Sequence, residues 1–363
     1  MKVVVSCDEL LKRDHLTEVV EAVLELYDEA EIYTLVHRPK AILGPIELRK
    51  IHSTFLSHKV KSSADLHNFS YLIPSAAKNL FIPCSVDLVI NISSGLSQGI
   101  KTCEKTKVVT YLYNDAFLNS PKSWLEKIFS SYLKSYFKKS LKNVDVLYVS
   151  NDSLLEKVSR FRADATVLEP PFKINDWQII PSPVFTYDHF CINANGLDVA
   201  MAKKLKDYLV SESIKFKFFG DDEHLAQIKN GPEDIHFFGD RCSGELAPLL
   251  SGSAAIIDLS DGFFPEASLK GLGTGRPVIA LDSASNRSYL SGEGVFFTTK
   301  DESKIFSLIK DLLKDPKRFD SKKLRAVAVN YHEIKFKAEL KRRLDRIVGE
   351  STPRAHHEKE NCC

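Results

Sequence analysis

Residues 236–280, HFFGDRCSGELAPLLSGSAAIIDLSDGFFPEASLKGLGTGRPVIA, read as strand, loop, helix, strand, loop and helix before GTGRPVIA turns the chain back into a further strand. HFFG and AAIIDLS are short apolar runs bounded by turn residues, the pattern of strands buried on both faces of a parallel sheet. Alternating strands and helices build a doubly wound sheet, and such sheets take their ligands at the carboxyl ends of the strands.

The same alternation extends in both directions. Residues 3–6 are β-branched, and residues 16–26 place Val19, Val20, Val23 and Leu24 at helical spacing. Further strands are predicted at 31–37, 85–93, 107–113 and 144–149, the last running into a helix start capped by Asn151 or Asp152. EPPFKINDWQIIPSP then holds four prolines in fifteen residues without periodicity, which marks an interdomain linker. Beyond it come strands HFCINA, FKFFG, IHFFG, AAIIDLS, PVIAL and VFFTT, with helices at 198–209, 223–228, 303–313 and around 338–348. The expected fold is α/β, two Rossmann-like domains facing across a cleft. Its parts are a domain at 1–170, a linker at 171–184, a domain at 185–330, a helix at 331–350 and a disordered tail at 351–363.

Composition narrows the function. A chain of 363 residues suits two cores, and 44% hydrophobic with 27% charged residues is an ordinary globular balance. Lys+Arg 50 against Asp+Glu 48 supplies no excess of positive charge for nucleic acid. Seven scattered cysteines, without CxxC pairs or histidines at ligand spacing, predict reduced thiols and a cytoplasmic location. The terminal Cys-Cys has the form of a prenylation signal but lacks upstream support. No run of about eighteen apolar residues occurs, and MKVVVSCDEL is too short for a signal peptide. Residues 122–142 form a basic amphipathic helix with Leu125, Phe129, Tyr132, Leu133, Tyr136 and Phe137 on its apolar stripe. That stripe either packs on the sheet or meets the inner face of an anionic membrane.

Across most of the chain, AEIYTLVHRP, RKIHSTFL, VDLVINISSGLSQGIKT, VSNDSLLEKVSRF, ATVLEPP and the C-terminal stretch resemble, in order, landmarks of the mannosyltransferase-like branch of retaining family 4 glycosyltransferases. The resemblance implies a GT-B fold whose last helix crosses back onto the first domain. It also implies a nucleotide-sugar donor, no required metal or other cofactor, and transfer of a hexosyl group of mannosyl type to a glycan or lipid-linked acceptor. On the acceptor side the candidates are Asp8, the Ser93, Ser94 and Gly95 that the resemblance turns to the cleft, and Tyr113 and Asn114, polar residues at a strand end where the family has a histidine.

Several charged positions depart from that family. The first glycine-rich loop is replaced by a stretch in which Asp14 and His15 occupy the glycine pair, with Asp14 placed to cap the next helix. Where the family has an arginine and a lysine to neutralise the leaving diphosphate, the chain has Asn193, Asn195 and Gly196. Arg241, Lys203 and Lys204 are the nearest substitutes in sequence. The glutamate pair spaced E-x7-E falls on Gly262 and Lys270, flanked by Asp261 and Glu266. Glu266 and Lys270 form either a helix surface pair or a ligand contact. Donor-side candidates are therefore Asn193, Asn195, Gly239, Asp240, Arg241, Asp261, Glu266 and Lys270, with Asp115, Glu266 and Lys270 as the catalytic candidates. The alternative is a non-catalytic descendant that acts as a scaffold, binds glycan or nucleotide, or pairs with a partner glycosyltransferase.

Overall fold

The computed structural model describes residues 1–115, 124–181, 186–231 and 234–350. The tail 351–363 with Cys362 and Cys363, residues 182–185 at the end of the expected linker and the start of the expected second domain, Lys122 and the Leu125 side chain lie outside what is described.

Strands β1 (Val3–Leu10), β2 (Glu31–His37), β3 (Ile51–Ser53), β4 (Leu88–Ser93), β5 (Lys107–Leu112), β6 (Val146–Val149) and β7 (Thr166–Val167) form one sheet. It has seven strands in the order β3-β2-β1-β4-β5-β6-β7, every neighbouring pair parallel. Strands β8 (His189–Asn193), β9 (Lys215–Phe219), β10 (Phe237–Gly239), β11 (Ala255–Asp258), β12 (Val278–Leu281) and β13 (Val295–Thr298) form the second. Its six strands run β10-β9-β8-β11-β12-β13, again all parallel. The order reverses between β1 and β4 and between β8 and β11, so each sheet has a switch point at which a crevice opens beyond the strand ends.

The apolar runs form the central strands because both faces are covered: Val4, Val5, Val89, Ile90, Ile256 and Ile257 are all buried. β3 and β7 were not expected; three and two residues long, they are too short to show alternation. Residues 223–228 form a 3-10 turn rather than an α-helix, and an unexpected helix, Ser321–Val329, precedes the last one, Glu333–Glu350.

Close packing of the Glu266–Gly273 helix on β11 depends on Gly271, where a Cβ would stand 2.8 Å from Ile256 Cγ1. The lobes join at a double crossing. Phe172 N donates to Tyr331 O at 2.7 Å, and Glu333 N donates to Phe172 O at 3.2 Å. The Glu333–Glu350 helix then lies against the first lobe, with Lys337 on Glu25 at 2.6 Å and Phe336 edge-on to Tyr111 at 5.6 Å.

The cysteine expectation needs correcting. Cys84 and Cys103, 5.3 Å apart at Cα, are joined in a disulfide, because the parallel bridge between Phe81 and Lys101 brings their segments together. Cys7, Cys191 and Cys242 are free thiols.

Candidate functional site

Asp8 follows the buried core of β1, Ser93 ends β4, Asn193 ends β8 and Asp258 ends β11, so in each lobe the two switch-point strands bring polar groups together. Asp8 is buried and accepts from Ser93 Oγ at 2.9 Å, Ser97 N at 2.8 Å and Ser94 N. Gly95 N donates to Ser93 Oγ at 2.9 Å. The loop beyond β4 is thereby tied to the first lobe's own carboxylate.

The second lobe repeats the device with Asp258. Its Oδ1 accepts from Asn193 Nδ2 at 2.9 Å, Ser260 N at 3.2 Å and Ser260 Oγ at 2.6 Å. Its Oδ2 accepts from Ser268 N at 3.1 Å and Ser268 Oγ at 2.8 Å. Ser268 lies in the first turn of the Glu266–Gly273 helix, where backbone N–H groups otherwise remain free for an anion. Asp258 takes one of those donors. At Gly196 a Cβ would stand 2.3 Å from Ser260 N, so the loops after β8 and β11 are in backbone contact.

Between the lobes the centre is His15. Its Nε2 is 2.7 Å from Pro171 O, which can only accept, so the proton sits on Nε2 and Nδ1 accepts from the Tyr113 hydroxyl at 2.8 Å. Burial holds His15 below the usual histidine range and Tyr113 well above the usual tyrosine range, keeping both neutral. Phe264 from the second lobe stacks on His15 at 4.3 Å and meets Tyr289 edge-on at 5.2 Å. Tyr289 Oη lies 3.1 Å from Asn151 Nδ2 in the first lobe.

Beside this contact runs a charged slot. Glu266 Oε1 and Lys270 Nζ are 2.5 Å apart, their side chains 30% and 22% exposed, and Lys270 stands 4.9 Å above the Trp177 ring. Burial disfavours both charges, but each partner outweighs it, lowering Glu266 and raising Lys270. Across the slot, burial and then Glu266 push Glu18 up to about 7. Burial, then Asp14 and Asp8, pushes Glu9 to about 7 as well, and burial raises Asp14. Glu21 is neutralised by Arg13 and by Lys173 of the linker, each at 2.6 Å. The first lobe's wall is thus acidic, a poor surface for a diphosphate.

The remaining sequence candidates are dispersed. Asp115 is buried beside Lys157 at 3.2 Å, and Asn114 lies next to it at the end of β5. Asn195 N bonds to Asn193 Oδ1 at 3.2 Å within its own loop. Gly239 adopts a φ of +74°, which allows the turn after β10. Asp240 and Asp261 are exposed. Arg241 donates to Phe238 O at 3.1 Å and faces Glu245, so its contacts are local. Lys204 pairs with Glu302 at 2.5 Å and Lys203 is exposed. Glu266 and Lys270 do pair, as helical spacing allows, but in the slot between the lobes rather than on open surface.

Sequence reasoning missed Asp258, Glu18, Phe264 and Tyr289, and considered His15 only as an intruder at a glycine position. Asp258 alone carried a signal, a carboxylate ending an otherwise apolar strand. Among the described residues no group of three or more His, Cys, Asp or Glu side chains gathers to hold a metal, and no helix is long and apolar enough to cross a membrane.

Two parallel-sheet lobes meeting at their strand ends, with a terminal helix returned to the first, are the GT-B architecture of glycosyltransferases. Among solved structures the chain is similar to HepE of Anabaena in complex with UDP, at TM-score 0.68 and 12% identity over 95% of this chain and 100% of that one. Sucrose-phosphate synthase of Thermosynechococcus elongatus matches at TM-score 0.68 and 11% identity over 97% and 100%. A glycosyltransferase of Rickettsia africae matches at 0.60 and 13% over 97% and 99%. No family profile and no curated protein matches the chain.

Proposed function

We propose that the protein handles a nucleotide sugar between its lobes, as a GT-B glycosyltransferase that moves a hexosyl group of mannosyl type to a glycan or lipid-linked acceptor with retention. The observation that carries this reading is the Glu266–Lys270 pair. It lies deep between the lobes yet stays partly exposed, at the start of the helix beyond the second switch point. HepE, a protein of similar fold, binds UDP and UDP-glucose, which supports a nucleotide sugar as the ligand. In this reading Lys270 meets the diphosphate once Glu266 turns away, and the Phe264–His15 stack must part to admit the donor.

A second reading, a non-catalytic scaffold or glycan-binding partner of another glycosyltransferase, is favoured by Asp258. That carboxylate takes a helix N-terminal donor, and Asn193 and Asn195 stand where cations would neutralise a leaving group. Thermal denaturation with GDP-, UDP- and ADP-sugars separates the two. A ligand at about 100 times its Kd adds about 2.7 kcal/mol to the folded state, so a donor that binds raises Tm by several degrees. No rise with any donor removes the transferase reading.

Contact with an anionic bilayer along the Trp124–Leu141 helix belongs to the same proposal. Leu133 and Phe137 are buried and Phe129 and Tyr136 pack on the cluster that holds Leu133, whereas Tyr132 departs from the expected stripe. It joins Trp124 and Ile128, at 51%, 68% and 63% exposure, in a second apolar row among exposed Lys127, Lys134 and Lys138.

A further inference from the structure

A cavity of about 400 Å³ lies away from the interlobe slot, where the chain crosses twice between the lobes. One wall is the segment 167–170 leading into the linker; the other is the turn from Asn330 into the Glu333–Glu350 helix. Both walls are held by the backbone bonds of Phe172 to Tyr331 and Glu333, so the cavity is built by the double crossing itself.

The lining separates into groups paired within the protein and groups left to solvent. Glu339 is bound by Arg342 and Arg343, and Arg343 also donates to Thr166 Oγ1 at 3.1 Å, so these charges are spent on the protein. Glu169 and Lys335 also line the cavity, but among the described residues their side chains make no hydrogen bond or ion pair. Burial, then Asp152, raises the Glu169 carboxyl, and the charge of Lys335 on the other wall draws it back down. His332 and Asn330 add hydrogen-bonding groups, and Phe336 with Leu168 supplies an apolar floor.

We propose that this cavity is an accessory binding site for a neutral carbohydrate, one or two pyranose units whose hydroxyls bridge Glu169 on one crossing segment and Lys335 on the other. Unspent donors and acceptors of both signs over an apolar floor match a ligand that carries hydroxyls all round and one C–H face. Glu169 and Glu339 balance Lys335 and Arg343 in the lining, so phosphate finds no excess of cations there. A zwitterion would depend on two solvent-screened ion pairs and leave the floor uncovered. Because the site spans both crossing segments, an occupant braces the hinge between the lobes.

Saturation-transfer NMR with methyl α-mannoside, methyl β-glucoside, N-acetylglucosamine and maltose tests the site on the full chain. Transfer from at least one sugar is expected, with a Kd in the millimolar range usual for small polar ligands. Glu169→Ala and Lys335→Ala, both at exposed positions, should weaken it about tenfold with Tm unchanged. No transfer from any of the four sugars, or transfer that survives both substitutions, overturns the site. So does transfer abolished by UDP, which would place the sugar between the lobes. Nucleotide-sugar binding is a separate readout, so either proposal can fail without the other.

Discussion

Asp258 shows how one residue sets the character of a site. A buried carboxylate with five donors holds β8, β11 and the Glu266–Gly273 helix in one arrangement. Asp258→Asn keeps the shape but turns one oxygen into a donor facing donors, so urea unfolding should show a loss of about 2–4 kcal/mol. His15 makes a prediction in pH. Burial lowers its folded pKa below the ordinary histidine value, so on acidification the unfolded chain takes up the proton first. Its contribution is therefore complete above about 6.5 and is lost as pH falls toward the folded value. Between pH 7.5 and 5.5 the wild type should lose about 1 kcal/mol more than His15→Gln. Equal losses would show that His15 is free to protonate.

At the scale of elements, the Trp124–Leu141 helix buries one apolar row and exposes another. Exposed Trp, Ile and Tyr among lysines suit an interface in which rings enter the headgroup layer and ammonium groups meet anionic lipid. Co-sedimentation with phosphatidylserine vesicles at low salt should capture the chain. Trp124→Ala with Ile128→Ala should weaken capture about tenfold or more, given roughly 1.5 kcal/mol or more for each large apolar side chain withdrawn from water. Failure of the wild type to sediment would leave the row without a lipid role. The Ser321–Val329 helix matters for a different reason. Arg325 donates to Trp177 O, to Gly273 O at 2.5 Å and to Ile174 O at 3.2 Å, which pins the segment 174–177 to the Glu266–Gly273 helix. Nothing in the spacing of SKKLRAVAV foretold that grip, since three carbonyls from two distant segments converge on it only after folding.

Across the whole molecule the slot between the lobes has an acidic wall, and its cost depends on pH. Glu9 and Glu18, both pushed to about 7, bind protons in the folded chain that the unfolded chain has released. Their effect is absent below about 4.5 and erodes stability as pH rises through 7, opposite in sign to that of His15. Glu18→Gln should therefore stabilise the chain at pH 8 by about 1–2 kcal/mol and have little effect at pH 4.5, measured by denaturant titration. A uniform gain at both pH values would assign the effect to packing instead. The parallel sheets, their central strands and the Asp14 and Asn151 helix caps were legible in the chain, because burial on both faces and capping are local demands that leave local residue patterns. The short edge strands, the Cys84–Cys103 bridge, the His15–Phe264 stack and the meeting of Glu169 and Lys335 on one cavity were decided by tertiary structure. Each depends on which distant groups satisfy one another, and a side chain's partner is not encoded in its own neighbourhood.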